Sequence, residues 1–326
     1  MQGNECLFFP CTIEPIIVFH EIYTNKEISM FTYKAFGLYL SSDVEITQLQ
    51  PIPIEKEIDV MVHTYNLESF HKCLPQNGHG LFRKDEFYFE MPEVGRFFIQ
   101  NGNEILLQEE EGVKKDLLSA YLLGPCMGAI LHQRGITPLH GSCVSDGNRS
   151  ILILGESGAG KSTLAAEFIS HGWKFITDDV AAIDMIHSRP IVQPSYPSQK
   201  LWQDSMDKYV TRDCIHSLYT RLDRTKFGVD VSPYYMERFC PLTIIIYLVP
   251  SNVPCKIQSI DGITKINYLM KNTYNPFMVM PEEKQNFFQR CVQLASKLPM
   301  ALVMREKGKQ CATELYNIII SYLEDK

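Results

Sequence analysis

The spacing of apolar and polar residues divides the chain into a strand-rich first part and a second part in which strands and helices alternate. In the first part, strand-forming residues recur over Tyr33–Leu40, Ile58–Val62 and Glu86–Met91. Two more such runs, Arg96–Gln100 and Glu104–Gln108, are separated only by Asn-Gly-Asn, which predicts a hairpin with a tight turn. The pattern therefore predicts a β-rich module at the beginning of the chain.

The pattern changes after residue 115. Apolar positions over 117–131 predict a helix that is capped by Asp116 and ended by Gly135. Beyond it, Ser150–Leu154 reads as an apolar strand, a glycine-rich loop follows, and Thr163–Ser170 reads as a helix. This strand–loop–helix order is typical of the start of an α/β domain.

The rest of the chain continues the alternation. Lys174–Thr177 and the branched run Thr243–Val249 predict strands, the second buried on both faces. Pro281–Leu298 predicts a helix, Pro299–Met304 a strand, and the last residues a final helix. We therefore expect an α/β fold with two parts, a β-rich module over 1–115 and a catalytic domain over 116–326.

Composition and charge exclude several classes of protein. The chain has 326 residues, 45% hydrophobic and 21% charged, with a formal net charge of -7, which excludes an intrinsically disordered chain and argues against binding nucleic acid through bulk positive charge. The apolar stretch over 117–131 is too short and too interrupted to span a membrane, and the first residues do not form a secretory signal. The ten cysteines lack the spacing of a zinc site. We expect a cytoplasmic protein with neither a nucleic-acid nor a membrane partner.

The glycine-rich loop matches the pattern G-x-x-x-x-G-K-[ST] of a phosphate-binding loop. Glycines let the backbone wrap around a phosphate chain, and the following helix directs its positive end toward it. The predicted nucleotide-binding residues are Gly155, Glu156, Ser157, Gly158, Ala159, Gly160, Lys161, Ser162 and Thr163. Lys161 would reach the β- and γ-phosphates and Ser162 would bind Mg²⁺, so we expect ATP and Mg²⁺ as cofactors.

An acidic pair, Asp178 and Asp179, closes the next predicted strand. The ends of strands in α/β sheets face the ligand crevice, so one carboxylate could hold Mg²⁺ and the other could take a proton from an acceptor hydroxyl. The alternative is a solvated turn, which would be the better interpretation if the loop were absent. His140, taken alone, is most simply a buried or turn histidine.

The run from Leu139 to Ile183 resembles the catalytic domain of the HPr kinase/phosphorylase family. It combines a His-Gly pair before a strand, a phosphate loop, a short helix ending near glycine, and an Asp-Asp pair at matching spacing. The resemblance implies a P-loop kinase fold in which His140 belongs to the catalytic site. It also implies that Ser162 and Asp178 hold the metal and that Asp179 is the general base.

The resemblance has a departure after the Asp pair. Family members that act on HPr carry a glycine-rich segment with an acidic metal ligand there, whereas this chain has the segment 193–202, QPSYPSQKLW, and the nearest acidic residue is Asp204. The layout is closer to the branch of kinases encoded with lasso peptides. That resemblance implies a serine acceptor in a precursor peptide, while a related branch phosphorylates free serine.

A second basic segment, RLDRTKFG over 221–228, precedes the strand Thr243–Val249. We expect a loop there, whose cations Arg224 and Lys226 could close over the transferring phosphoryl group. The alternative is a solvated loop. Trp202 is either a core anchor or a wall of the acceptor site, and the first is the simpler expectation.

The sequence thus predicts a serine kinase with His140, Lys161, Asp179, Lys226 and Arg224 in the catalytic site and a precursor peptide as its partner. A kinase of free serine or another small hydroxyl metabolite is the first alternative. A nucleotide-responsive binding module without transfer activity is the second. The oligomeric state stays open, with a homo-oligomer among the alternatives.

Overall fold

The computed structural model describes residues 30–53, 56–71, 80–209, 215–221 and 224–325, with the backbone alone at 71, 215–221 and 224–226. Two large sheets and one small sheet are combined with helices, so the predicted α/β class is confirmed. Among the described residues, no helix is both long enough and apolar enough to cross a bilayer.

The first part of the chain forms a sheet of seven strands. They are β1 (Phe31–Ala35), β2 (Leu38–Ser42), β3 (Val60–Thr64), β4 (Gly80–Arg83), β5 (Glu86–Met91), β6 (Gly95–Gln100) and β7 (Glu104–Glu109), with helix α1 (Glu68–His71) between β3 and β4. The strand order is β1-β2-β3-β7-β6-β5-β4. The predicted hairpin between β6 and β7 is confirmed.

The single strand predicted over Tyr33–Leu40 is wrong. Phe36 and Gly37 have φ values of 55° and 76°, in the left-handed region, and the chain reverses there to form the antiparallel β1–β2 hairpin. Glycine adopts that conformation without steric cost, so Gly37 is the local signal for the turn.

Helices α2 (Lys115–Tyr121) and α3 (Met127–Gln133) follow, joined by a π-helical turn, Leu122–Cys126. The residue before α2 is Lys114, so the predicted cap at Asp116 is wrong and Asp116 lies in the first turn. Apolar side chains of both helices share one core with the seven-stranded sheet. Since that core continues across residue 115, the division at 115/116 stays a prediction.

The remaining elements follow in chain order. They are β8 (Thr137–Ser145), β9 (Ser150–Leu154), α4 (Lys161–Ser170), β10 (Lys174–Thr177), β11 (Val180–Ile186), β12 (Arg189–Gln193), β13 (Ser198–Trp202), α5 (Gln203–Tyr209), β14 (Ile215–Arg221), β15 (Arg224–Asp230), β16 (Cys240–Pro241), β17 (Ile244–Ser251), β18 (Lys256–Ile260), α6 (Ile263–Lys271), α7 (Lys284–Lys297), β19 (Met300–Glu306) and α8 (Ala312–Glu324).

Nine of these strands form the second large sheet, in the order β16-β12-β11-β8-β9-β17-β19-β18, with β10 also paired to β8. Strands β9, β17 and β19 run parallel, while the other pairings are antiparallel. Strands β13, β15 and β14 form the small sheet beside it.

Strand β9 lies at the centre of the second sheet and is buried on both faces. Ile151 and Ile153 pack on the side of α4 and α8, whereas Leu152 and Leu154 pack on the side of α6 and α7. A strand covered on both faces reads as a continuous apolar run, as this one does in the sequence. Each buried side chain of this size contributes about 1.5–3 kcal/mol, so the strand that leads into the glycine loop is firmly anchored.

Candidate active site

The glycine loop turns sharply between β9 and α4. Gly155, Gly158 and Gly160 have φ values of 148°, 82° and 104°, a region that disfavours other residues. A side-chain carbon at Gly155 would collide with the carbonyl oxygen of Leu248 on β17. The loop therefore requires glycine both for its turns and for its close approach to the neighbouring strand. The first N–H groups of α4 lie at the end of the glycine loop. They have no acceptors within the helix, and a ligand at the loop could accept hydrogen bonds from them.

Lys161 is the first residue of α4 and is only 7% exposed. Its Nζ donates to the carbonyl oxygens of Gly155 at 2.9 Å and Glu156 at 3.2 Å. These contacts fold the side chain back along the loop and place its positive charge beside the loop backbone.

The other loop residues have different surroundings. Glu156 is exposed and pairs with Lys271 at 2.6 Å, while Ala159 is buried. The hydroxyl of Thr163 lies 2.7 Å from that of Ser205 on α5. Thr163 thus joins α4 to α5, and Ala159 anchors the loop in the core.

The acidic pair lies in the turn between β10 and β11. Both strands pair with β8, and Val180 lies opposite His140 in that register. Thr177 Oγ1 donates to the carbonyl oxygen of Val180 at 2.6 Å and fixes the turn. Strand pairing therefore holds Asp178 and Asp179 beside the middle of β8.

Asp178 is 6% exposed, and its two carboxylate oxygens have different partners. Oδ1 accepts hydrogen bonds from the hydroxyl groups of Ser142 at 2.5 Å and Ser162 at 3.0 Å. Oδ2 accepts the backbone N–H of Lys200 at 3.0 Å. Because one buried carboxylate receives three donors, it is fixed in position and joins β8, α4 and β13 at one point.

Asp179 has a φ of 71°, and its side chain, which is 25% exposed, also reaches the site. Oδ1 lies 3.3 Å from His140 Nδ1, and Oδ2 lies 2.9 Å from Lys200 Nζ. The same His140 nitrogen is 3.0 Å from the backbone oxygen of Asp179. Burial alone would raise the pKa of this carboxyl, but the charge of Lys200 and the contacts with His140 outweigh it and hold the pKa well below its ordinary value. Asp179 is therefore ionised at neutral pH.

Sequence reasoning missed Ser142 and Lys200. Ser142 stands two positions after His140 on β8, and residues at that spacing share one face of a strand. This spacing could have predicted that Ser142 lies on the same side of β8 as His140. Lys200 is brought in by β13, which is attached to α4 through a hydrogen bond of 3.0 Å from Gln199 Nε2 to the carbonyl oxygen of Ser162. No local pattern predicts that contact.

Two cavities adjoin the glycine loop and share Gly158, Gly160, Thr163 and Trp202 in their walls. The smaller, of about 40 Å³, is also lined by His140, Ser157, Lys161, Ser162, Asp178, Asp179 and Lys200. The larger, of about 720 Å³, extends between α4, α5, the end of β19 and the start of α8. The predicted loop, acidic pair and histidine thus meet at the smaller cavity.

The second basic segment was expected to be a loop, and this expectation is wrong. Arg224 and Lys226 lie on β15, where Lys226 is paired with Trp202 of β13; their side chains are outside the described part of the structure. Trp202 lines both cavities instead of anchoring the core, and Asp204 lies on α5 at the larger cavity. The structure does not bring Asp204 to the acidic pair.

The smaller cavity offers side-chain oxygen atoms that could bind a metal ion. In the described part of the chain, no group of three or more His, Cys, Asp or Glu side chains could hold a metal ion. Ser162 and Asp178 are the oxygen ligands that the geometry offers, 3.0 Å apart. Mg²⁺ commonly takes one or two protein oxygens and completes its shell with water and substrate phosphates.

A comparison with known proteins gives a family match over part of the chain. Residues 134–201 match the family model of the HPr serine kinase C-terminal domain. A solved structure of the Hpr(Ser) kinase/phosphatase from Coxiella burnetii matches at 11% identity and a TM-score of 0.34, over 58% of this chain and 97% of that chain. No curated protein matches the sequence. The segment that holds His140, the glycine loop, the acidic pair and Lys200 is therefore similar to the C-terminal domain of HPr serine kinases.

Proposed function

We propose that the protein is an ATP- and Mg²⁺-dependent kinase that transfers the γ-phosphoryl group to a serine hydroxyl of a ribosomally made precursor peptide. The observation that carries the proposal is the meeting of Ser162 with Asp178 at 3.0 Å in the cavity that also holds Lys161, Asp179 and His140. Similarity to the HPr serine kinase C-terminal domain supports kinase activity in general.

The two cavities suit the two halves of the donor. The larger one is lined by Leu164, Leu315 and Cys311 together with Arg305 and Lys309, a mixture of apolar and cationic groups that suits a nucleoside with its phosphates. It meets the smaller cavity at the glycine loop, so a nucleotide lying across the loop would present its terminal phosphate to the acidic pair.

Ser162 and Asp178 would hold Mg²⁺ together with the donor phosphates, and the bound ion would neutralise part of the charge on the transferring group. Lys161 would leave the neutral carbonyl oxygens of Gly155 and Glu156 for negatively charged phosphate oxygens, which attract the ammonium group more strongly. The glycine loop and α4 would then orient the donor. Such positioning, together with charge stabilisation, supplies most of the catalysis in phosphoryl transfer.

Asp179 would accept the proton of the acceptor hydroxyl. Its carboxylate is ionised, opens into the smaller cavity and is oriented by His140 at 3.3 Å. A carboxylate placed in this way raises the rate about 10²–10⁴-fold.

The seven-stranded sheet favours a peptide acceptor over a free metabolite. It shares a continuous core with α2 and α3, and that core also includes Val180 and Ala182, which follow the acidic pair. A small hydroxyl substrate would not need the additional surface that a module of seven strands provides beside the site. We propose that the module over 1–115 contributes to binding the peptide and that 116–326 carries the chemistry.

The test is to incubate the protein with ATP and Mg²⁺ and one of three acceptors, followed by mass spectrometry. The acceptors are peptides ending in serine from the genes beside its own, free serine, and HPr. The proposal expects an added phosphate on the peptide serine that disappears in Asp179→Asn. Lys174→Met, on an exposed lysine of β10, is the matched control and should keep full activity.

Phosphorylation of free serine alone would overturn the peptide acceptor and keep the kinase. If ATP binds but no phosphate reaches any hydroxyl, including that of water, the protein is a nucleotide-responsive binding module.

A further inference from the structure

Lys200 occupies a position that neither the loop motif nor the acidic pair explains. Its backbone N–H bonds Asp178 at 3.0 Å and its Nζ pairs with Asp179 at 2.9 Å, so one residue contacts both carboxylates. The side chain is 18% exposed and lines the smaller cavity.

The strand around Lys200 is held rigidly. Gln199 bonds the start of α4 through the carbonyl oxygen of Ser162, and residues 198–202 pair with β15 along their whole length. A surface lysine samples many rotamers, whereas this one is fixed at its backbone beside the acidic pair.

When a phosphate enters the smaller cavity, a cation near Asp179 would offset the negative charges that meet there. A terminal phosphate entering between Lys161 and the acidic pair adds negative charge beside Asp178 and Asp179. Of the described residues lining the smaller cavity, two are lysines or arginines, Lys161 and Lys200. Lys161 Nζ contacts the carbonyl oxygens of the loop, whereas Lys200 Nζ contacts Asp179, so the two cations meet this cavity at different residues.

We propose that Lys200 is a further catalytic residue that contacts the transferred phosphoryl group, an assignment that rests on the proposed kinase function. In the transfer, the acceptor oxygen bonds to the γ-phosphorus and the bond to the bridging oxygen of ADP breaks. The hydroxyl proton passes to Asp179. Lys200 turns from Asp179 to the equatorial oxygens of the phosphoryl group. This movement frees the carboxylate to accept the proton, and the ammonium group stabilises the negative charge of the phosphoryl group in the transition state.

The first test needs no acceptor. The affinity of Mg·ADP is measured with and without aluminium fluoride, which mimics the transferring phosphoryl group, for the wild type, Lys200→Met, Lys200→Arg and the control Lys174→Met. We expect aluminium fluoride to tighten ADP binding in the wild type and the control. Lys200→Met should lose most of that gain while binding ADP alone within about threefold, because the proposed contact of Lys200 is with the transferring phosphoryl group and with no part of ADP.

Lys200→Arg should recover a large part of the gain, and thermal unfolding identifies any variant that is misfolded. An unchanged gain in folded Lys200→Met would overturn the role of Lys200 and leave the kinase proposal standing. A wild-type chain that binds no Mg·ADP would overturn the proposed function and this inference together.

A second test separates direct contact from action through Asp179. The residual transfer rate of Asp179→Asn is compared with that of the double variant Asp179→Asn/Lys200→Met. We expect a further loss of about 10²–10³-fold in the double variant, the effect of removing one donor to a charged transition state. Equal rates would show that Lys200 acts only by positioning Asp179 and would overturn the proposal.

Discussion

The hydroxyl of Ser162 lies 3.0 Å from Oδ1 of Asp178 and joins the first turn of α4 to the end of β10. Ser142 donates to the same oxygen at 2.5 Å. A buried carboxylate that receives two hydroxyl groups and one N–H is held in one position.

Asp178→Asn should weaken Mg²⁺ binding and lower the stability of the fold. The amide loses one of the oxygens that accept three donors, and leaving buried donors unsatisfied costs about 1–3 kcal/mol. Transfer rates over a Mg²⁺ titration should show a midpoint moved to higher concentration, with part of the loss recovered by excess metal. An unchanged midpoint would remove Asp178 from the metal site.

Lys161→Ala should abolish nucleotide binding with little loss of fold stability. Removing the Lys161 side chain leaves space in which water can bond the two carbonyl oxygens that it contacts, so we expect a loss of about 1 kcal/mol. Nucleotide titration and thermal unfolding measure both effects. Lys271→Ala, which removes an exposed partner of Glu156 on the same loop, is the control. Wild-type affinity in Lys161→Ala would contradict the phosphate-binding role of the loop.

Glu167 should make stability depend on pH. It is buried on α4 and accepts hydrogen bonds from Tyr209 and, at 2.9 Å, from Lys208 on α5. Burial alone would raise the pKa of Glu167, but these two bonds lower it below its ordinary value. A lowered pKa gives stability that is fully present above the ordinary pKa of glutamate, and this stability disappears as pH falls through the lowered value.

Glu167→Gln should therefore be less stable than the wild type by about 1–3 kcal/mol at pH 7. The difference should begin to shrink only below about pH 4, the ordinary pKa of glutamate, and should disappear as pH falls through the lowered value. Urea unfolding at pH 7 and at a series of pH values below 4 measures it. A difference that stays constant would show that the carboxylate charge does not matter.

The protein should neither phosphorylate HPr nor remove phosphate from it. The segment over 193–202 ends in β13 with Lys200 beside Asp179, while Asp204 lies at the other cavity. The segment itself contains no Asp or Glu that could join the acidic pair. Incubation with HPr and ATP, and with phosphorylated HPr and inorganic phosphate, tests this. Either reaction at a rate comparable to that on a peptide would contradict the assigned acceptor.

Local sequence patterns predicted the elements around the site. The bounds of β9 and β10 agree with the predicted strands, and the glycine loop lies between β9 and α4 as its motif requires. These features follow from apolar runs and from glycine at positive φ, which act within a few residues. Family resemblance implied that His140 belongs to the catalytic site, but its contact with Asp179 was not predicted.

Long-range placement could not be predicted. Lys200 reaches Asp179 through the pairing of β13 with β15, and the sequence around it reads as a proline-containing loop. Arg224 and Lys226 were placed on a loop because their charges obscure the strand pattern of β15, which pairs with the preceding strand β14 and with β13. Adjacent residues of a strand point to opposite faces, but the positive φ of Asp179 allows both acids to reach one cavity.

The most direct test of the proposed chemistry is the single-turnover rate of phosphoryl transfer from ATP to a serine peptide in the wild type and in Asp179→Asn. The substitution keeps the shape of the side chain and removes its basicity. We predict a rate lower by about 10²–10⁴-fold, with the affinity for Mg·ATP unchanged and no recovery at high Mg²⁺. A normal rate, or a loss that excess Mg²⁺ restores, would contradict the assignment of Asp179 as the base.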